Sequence, residues 1–143
     1  MPVANGVACT LVSRVQATAL FGHPATKSVP ADPGGAASVC LWKADAAPGT
    51  VGDVAYLLQV HVYADALHYS EKVYPNARLL SDIGDRAIAV DEGMGIYAVQ
   101  FVKGGRTVTI AYSVNAIGGD THAKAATQSN EVIALARTAA GRM

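Results

Sequence analysis

The chain has 143 residues, and eleven Lys and Arg balance eleven Asp and Glu, so the formal net charge is zero. Only 15% of the residues are charged, where roughly 25% is usual, which argues against a nucleic-acid binder that relies on a basic surface. Apolar residues make up 51% of the chain and 27 residues are Ala, which excludes intrinsic disorder for the body of the chain. No apolar run approaches the roughly 18 to 20 residues needed to span a bilayer.

A chain of this length is expected to form one domain. We predict that residues 1–8 are a disordered N-terminal remnant and that residues 9–143 form a single disulfide-linked α+β domain. The first residues lack the basic and hydrophobic segments of a signal peptide. We therefore expect that a targeting segment is absent from this sequence.

A capping box opens the first predicted helix. The Ser13 hydroxyl and the Gln16 side chain can each bond the other's backbone N–H, which predicts a helix over 14–21. Gly22 ends it, because glycine adopts the left-handed backbone at low cost. The predicted apolar stripe of this helix consists of Val15 and Ala19, with Leu11 or Val12 leading into it.

Proline and glycine content separates the next elements. Residues 23–37 are predicted to be a loop, 38–43 a strand, 44–53 a hairpin connection, and 54–63 a second strand. Alternation along 54–63 predicts one fully apolar face, made of Tyr56, Leu58, Val60 and Val62.

A short helix is predicted over 66–73, because Asp65 can cap its start and Pro75 disfavours helical geometry in the residue before it. A short strand follows over 86–90, and residues 91–95 are predicted to form a turn.

The strongest local pattern lies in 96–113, where Gly104 and Gly105 separate two alternating runs as a two-residue hairpin turn. This turn fixes the register. On one face it pairs Phe101 with Val108, Val99 with Ile110 and Tyr97 with Tyr112. On the other it pairs Val102 with Thr107, Gln100 with Thr109 and Ala98 with Ala111.

A last helix is predicted from Asp120 or Thr121 to about Ala140. The residues expected at helical spacing on its packing face are Ala125, Ser129, Val132, Ala136 and Ala139. The element order α-β-β-α-β-β-β-α predicts an α+β fold, either two-layer or an α/β/α sandwich, with an antiparallel sheet of about five strands.

Two cysteines with none left over favour a Cys9–Cys40 disulfide, and the alternative is a pair of unrelated buried thiols in a cytosolic protein. Zinc is disfavoured because there is no C-x-x-C and no ligand spacing among the histidines. Those histidines are His23, His61, His68 and His122. A disulfide indicates an oxidising, extracytoplasmic compartment, secreted, periplasmic or anchored to the cell envelope. The residues before Cys9 are also similar to a lipoprotein cleavage site, which would make Cys9 a lipid-bearing residue instead.

Polar side chains on one sheet face form the candidate ligand-facing surface. His61 shares this face with its strand neighbours two residues away, and a groove for a small ligand is one interpretation. The other is an ordinary solvated face, or one covered by a helix. The candidate residues are Gln59, His61, Tyr63, Gln100, Thr107 and Thr109.

Acidic residues near two turns do not have the spacing of a calcium loop, and turn chemistry explains them. They are Asp82, Asp85, Asp91 and Glu92. No catalytic motif was recognised and no catalytic residue, metal or cofactor is expected. Trp42 is predicted to be a core residue beside the disulfide and the first helix, with a surface binding role as the alternative.

Several segments together resemble a known pattern: Cys9-Thr-Leu-Val-Ser13, Gly22, Cys40-Leu-Trp42, Ile83-Gly-Asp85-Arg-Ala87, the Gly-Gly hairpin and the Ala-rich last helix. The chain resembles small secreted proteins and lipoproteins of bacterial cell envelopes, best known from actinobacteria, that carry a domain of unknown function. Asp82 stands where that family usually has the first glycine of a G-x-G-D turn. The resemblance implies a Cys9–Cys40 disulfide and an extracytoplasmic location, and it brings no activity. The architecture is also similar to a PsbP-like α/β/α sandwich, a fold used for protein docking.

These observations predict a non-catalytic extracytoplasmic binding or accessory domain whose partner is a protein or an envelope component. The alternative is a small-molecule carrier or enzyme with a pocket between sheet and helices, similar to the cone of ketosteroid isomerases. A third interpretation is a dimer that covers exposed sheet edges. We expect a monomer or weak homodimer that binds no nucleic acid.

Overall fold

The described residues form an antiparallel sheet with helices on one of its faces. The structure is a computed structural model, and it describes residues 7–30, 35–45, 54–67, 69, 77–93, 96–116 and 128–143. The helices are α1 (Val7–Leu11), α2 (Arg14–Phe21) and α3 (Ser129–Gly141). The strands are β1 (Thr26–Ser28), β2 (Ser38–Asp45), β3 (Val54–Tyr63), β4 (Arg78–Leu80), β5 (Arg86–Gly93), β6 (Ile96–Lys103) and β7 (Arg106–Ala116).

The α+β class with one antiparallel sheet is confirmed, and the strand count and element order are corrected. The sheet of the described residues has seven strands in the order β1-β2-β3-β7-β6-β5-β4, where about five were expected. The additional strands are β1, inside the predicted 23–37 loop, and β4. Each of these strands has three residues and no alternation of apolar and polar residues, so the sequence pattern could not predict them. They form because β2 and β5 otherwise present unpaired backbone groups.

The central hairpin confirms the predicted register. Phe101 pairs with Val108 and Gln100 with Thr109, and the other four predicted pairs are also present. Gly104 and Gly105 have φ values of 60° and 76°, the left-handed conformation that a two-residue hairpin turn of type I′ requires at both positions. Strand β3 has the predicted bounds 54–63, and its predicted apolar positions Leu58, Val60 and Val62 are fully buried while Tyr56 is half-buried.

Strands β2 and β5 are longer than predicted. Strand β2 continues through Asp45, and β5 continues through Gly93 into the predicted 91–95 turn, with a register irregularity between Asp91 and Gly93. Pairing with neighbours extends both strands, which local turn residues could not indicate.

All three helices pack on the same face, which we call the core face of the sheet. Helix α1 lies against β2 and β3, and α3 against β6 and β7. One buried cluster contains helix residues such as Leu11, Leu20 and Val132 together with strand residues such as Val60 and Phe101. The described helices and the sheet therefore form two layers.

Helix α1 extends the folded domain before Cys9. Residues 1–6 lie outside the described residues, but Val7 and Ala8, which we expected to be disordered, form the first turn of α1. Ala8 is fully buried and its N–H donates to the Ser38 Oγ at 3.1 Å. This corrects the predicted boundary at residue 9.

Helix α2 has the predicted ends and a different buried face. The capping box is confirmed, since Gln16 N donates to Ser13 Oγ and Ser13 N to Gln16 Oε1, and Gly22 ends the helix with φ 74°. Within the helix the predicted stripe is wrong, because Val15 is 79% exposed and Ala19 is also exposed. Leu11 and Val12, which lead into the helix, are buried. The helix buries Leu20 and Phe21 instead, since these larger side chains remove more apolar area from water.

Helix α3 begins at Ser129, and the predicted starts Asp120 and Thr121 and the predicted position Ala125 lie outside the described residues. Of its predicted packing face, Val132, Ala136 and Ala139 are fully buried and Ser129 is half-buried. The helix also buries Ile133, Leu135 and Ala140, so its buried face is wider than predicted.

The predicted helix over 66–73 lies mostly outside the described residues, which here omit 68 and 70–76. Residues 64–67 form a bend and a turn, in which the Asp65 carboxylate accepts from Leu67 N at 2.9 Å.

Candidate functional site

The six predicted surface residues lie together on the sheet face opposite the helices, which we call the second face. Strand β3 contributes alternate residues, which point to one side of a sheet. The register then places His61 beside Thr109 and Thr109 beside Gln100, with Tyr63 beside Thr107. We call this set the polar strip: Gln59, His61, Tyr63, Gln100, Thr107 and Thr109.

Contacts within the polar strip hold its side chains in place. His61 Nε2 lies 3.0 Å from Gln59 Oε1, and because that oxygen only accepts, His61 donates from Nε2. The His61 and Tyr63 rings stack with centroids 6.3 Å apart. On the neighbouring strands Gln100 Nε2 donates to Thr109 Oγ1 at 3.1 Å. The strip is therefore an ordered surface without a charged side chain.

Thr107 differs from the other five residues. It is fully buried, and its hydroxyl donates to the Asp65 carbonyl at 2.8 Å, so the segment after β3 covers this end of the strip. The five others are half-buried. The expected open groove is thus a partly covered surface, and Thr107 supports its edge rather than facing solvent.

Apolar residues flank the polar strip on both sides. Leu41 and Leu57, on the second face of β2 and β3, are half-buried. On the other side Ile88 pairs with Gln100 and is fully buried, and Arg86 lies over the Tyr69 ring at 5.6 Å from its centroid. The β5 side of the second face is therefore covered and the β2–β3 side is partly open.

Burial lowers the pKa of His61 from its usual 6.5. In the folded protein His61 therefore becomes protonated at a lower pH than in the unfolded chain, and it is neutral at pH 7. We expect the His61 ring signals in a two-dimensional NMR titration to move with a midpoint below 6.5, and those of the urea-unfolded chain near 6.5. The contribution of His61 to the free energy of unfolding is complete at neutral pH, and it decreases as the pH falls below 6.5. A midpoint above 6.5 in the folded protein would contradict this expectation.

The acidic residues are placed by turns and strand ends. Asp82 has φ 64°, the left-handed conformation that glycine favours and that Asp adopts more readily than most other residues. Asp85 Oδ2 accepts from Gly104 N at 3.1 Å and thereby ties two turns together. Asp91 lies in β5, and the Glu92 side chain is outside the described residues. No group of three His, Cys, Asp or Glu in the described part of the chain could hold a metal ion.

The Cys9–Cys40 disulfide is present and joins α1 to β2. Trp42 is a core residue as predicted, with 4% exposure, two residues from Cys40 on the same face. Its Nε1–H is buried and has no hydrogen-bond partner among the described residues.

Sequence reasoning missed a buried polar link between sheet and helices. The Tyr112 hydroxyl donates to Gln128 Oε1, and Gln128 Nε2 donates to the Leu20 carbonyl at 2.7 Å. The Phe21 ring packs 6.2 Å from the ring of Tyr112. Gln128 makes no capping bond to α3, because its amide serves this link. The partners are too distant in sequence for any local signal to identify them.

Burial raises the pKa of Tyr112, and the nearby Tyr56 and Glu131 act in the same direction. Folded Tyr112 therefore stays protonated where the unfolded chain ionises, so its contribution to stability is lost as pH rises above about 10. We expect Tyr112→Phe to lower the free energy of unfolding by about 1 to 3 kcal/mol at pH 7, because Gln128 Oε1 loses its donor.

Urea unfolding at pH 7 to 11 checks this expectation, and the Phe variant should lose less stability than the wild type as pH rises. Tyr97→Phe is the matched control, because Tyr97 pairs with Tyr112 across β6 and β7 while its substitution leaves Gln128 bonded. An equal effect of both substitutions would contradict the assigned link.

Surface depressions among the described residues include one between α2 and α3 and one beside the Gly104 turn. The first, the α2–α3 groove, has a volume of about 250 Å³ and is lined by Gln16, Ala19, Leu20, Glu131, Ala134, Leu135 and Thr138. The second, of about 420 Å³, is lined by Ala64, Lys103, Gly104, Arg106 and Met143. Neither includes a residue of the polar strip.

Comparison of the chain with protein-family models, with curated proteins and with solved structures found no match. Among the helices of the described residues, none is long and apolar enough to cross a membrane.

Proposed function

We propose that this chain is a non-catalytic extracytoplasmic binding or accessory domain that recognises a protein or envelope component through the polar strip. The observation that carries this proposal is the strip itself, an uncharged set of side chains beside half-buried leucines. Hydrogen bonds and ring stacking within the strip, and the bond from Thr107 to Asp65, hold these side chains in place. Membership in the cell-envelope family that the sequence resembles is part of the same proposal.

The chemistry of the strip suits recognition by contact. Side chains that are already ordered lose less conformational entropy when a partner binds, so more of the contact energy appears as affinity. The amide, imidazole, phenol and hydroxyl groups of the strip offer hydrogen bonds, and Leu41 and Leu57 add apolar area beside them. Aromatic and uncharged polar groups are common at protein interfaces.

The surroundings of His61 favour binding over proton transfer. Its hydrogen-bond partner is the Gln59 amide, which does not raise the basicity of an imidazole as a carboxylate does. Burial lowers its pKa without adding an ionised neighbour. This supports the proposal that the domain is not an enzyme.

The Cys9–Cys40 disulfide supports the proposed location. Disulfides persist where the environment is oxidising and are rare where glutathione and thioredoxin keep thiols reduced. A secreted, periplasmic or envelope-anchored protein meets that condition.

Site-specific photo-crosslinking in the native cells tests the proposal. A photoreactive residue in place of Gln59 is expected to form a crosslinked product, and the same residue in place of the exposed Thr10 on α1 is not. His61→Ala combined with Tyr63→Ala should remove the product. Equal products from both positions, or a product that survives the double substitution, would overturn the assignment of the strip.

A carrier or enzyme with a pocket between sheet and helices is the second candidate. The buried Trp42 Nε1–H, which has no hydrogen-bond partner in the part of the chain that the structure describes, favours it. His61 lies on the second face and cannot serve such a pocket. Native mass spectrometry of the gently purified protein distinguishes the two, since a carrier is expected to retain a small molecule. Trp42, the only Trp, reports such a ligand by a change in fluorescence on its removal.

A further inference from the structure

The bond between His61 and Gln59 determines which ring nitrogen the polar strip offers to a partner. Nε2 carries the proton and donates to Gln59 Oε1 at 3.0 Å, so Nδ1 of the neutral ring is an acceptor. Among the described residues no group bonds to Nδ1. A flip of the ring, which also stacks on Tyr63, would break the bond to Gln59. At neutral pH His61 is therefore an uncharged acceptor in a fixed orientation.

The strands beside His61 place no charge against it. Val39 of β2 and Thr109 of β7 lie directly opposite it, and neither side chain ionises. Lys43 is on the same face of β2, but it pairs with Leu57, which is four residues or about 13 Å away along β3.

The other charged groups on this side of the sheet have partners of their own. The Asp65 carboxylate accepts from Leu67 N, and Arg86 lies over the Tyr69 ring. The phenols of the second face stay uncharged in acid. Burial lowers the pKa of His61, and none of these charges contributes to the shift. A positive charge on His61 therefore has no carboxylate bonded to it in the described part of the chain.

We propose that the polar strip binds its partner with His61 neutral and releases the partner when His61 is protonated. This inference rests on the proposed function of the strip, and it assigns to the partner an N–H or O–H donor that faces Nδ1. Protonation converts Nδ1 from an acceptor into a donor, so two donors then face each other. It also places a charge without a counter-ion in an uncharged contact surface.

Binding itself opposes protonation of His61. The ring is already half-buried, and a partner that offers a donor there removes more water from it, so the complex has a lower His61 pKa than the free protein. By linkage, the affinity of the strip for its partner falls about tenfold for each pH unit below the titration midpoint of the free protein. Above that midpoint the affinity does not change with pH.

Photo-crosslinking of the purified chain to washed envelopes of the native cells, at controlled pH, tests this inference. A photoreactive residue in place of Leu57 lies on the same face and leaves Gln59 and His61 intact. The chain concentration that gives half-maximal product should be constant above the His61 midpoint and should rise about tenfold one pH unit below it.

His61→Gln is the decisive variant, because its amide does not titrate. We expect it to weaken binding severalfold at neutral pH and to abolish the pH dependence, which also separates the effect from acid unfolding. His23→Gln is the matched control, since His23 is half-buried against Tyr56 outside the strip, and it should keep the pH dependence of the wild type.

The outcomes separate this inference from the proposed function. A product whose half-maximal concentration is the same at both pH values, or a pH dependence that persists in His61→Gln, would overturn the inference and leave binding through the strip intact. The absence of product at every pH would overturn both. In the free chain, ¹⁵N NMR at neutral pH should show the ring proton on Nε2, and a proton on Nδ1 would overturn the inference alone.

Discussion

Removing the Cys9–Cys40 bridge is expected to lower the free energy of unfolding by about 4 kcal/mol. The cysteines are 31 residues apart, and closing a loop of that length restricts the unfolded chain by this amount on the chain-entropy account. Since a domain of this size has only about 5 to 15 kcal/mol of stability, the loss is large.

The position of the bridge explains why the fold depends on it. Helix α1 has five residues and is too short to be stable by itself, and the bridge attaches it to β2 at the fully buried Cys40. Without the bridge, α1 is held by the bond from Ala8 N to Ser38 and by its apolar contacts. We therefore expect the N-terminal helix to exchange its amide hydrogens faster in the variant than in the wild type.

Urea unfolding of a Cys9→Ala, Cys40→Ala double variant measures the effect. Fluorescence of Trp42 is a suitable signal, because it is the only Trp and lies buried two residues from Cys40. The wild type in reductant is the control and should behave like the variant. Alkylation of the native protein without reductant should modify no cysteine, and two modified thiols or an unchanged unfolding midpoint would contradict the expectation.

Replacing Gly84 with Ala is expected to destabilise the protein by about 2 to 5 kcal/mol. Gly84 has φ 58°, where a side chain is strained, and an added Cβ would lie 2.6 Å from the Val102 carbonyl oxygen. That oxygen cannot easily move, because it accepts from Asp85 N at 2.7 Å. The neighbouring Phe101 ring, 3.2 Å from the added Cβ, is fully buried and also restricts adjustment.

Gly104→Ala separates the two causes. Gly104 has φ 60°, almost the same conformation, but apart from its chain neighbours no described residue has an atom within 4 Å of its added Cβ. This variant should lose only the conformational part, about 1 to 2 kcal/mol. Thermal or urea unfolding of both variants gives the comparison, and equal losses would show that the close approach at Gly84 does not matter.

The sequence could predict that the six residues of the polar strip share one sheet face, but it could not predict the environment of each residue. Residues two apart on a strand must share a face, and the Gly104–Gly105 turn fixed how Gln100 and Thr109 meet. The burial of Thr107 depends on its bond to Asp65, 42 residues away in the sequence. No spacing rule reports a contact of that kind.

The sequence by itself determined the elements whose signals are local. The capping box at Ser13 and Gln16, the bounds of β3 and the register of β6 and β7 depend on residues a few positions apart. Each combines a turn or cap with a periodic pattern, so two independent local signals agree. The pairing of the only two cysteines was also available from their number.

Only the tertiary structure decided which faces are covered. It buried Leu20 and Phe21 of α2 rather than Val15, added the edge strands β1 and β4, and joined Tyr112 to Gln128. Each of these outcomes depends on a competition between distant segments for the same sheet face or the same free edge. The total buried apolar area and the hydrogen bonds of the whole folded chain decide this competition. No short stretch of residues contains that information.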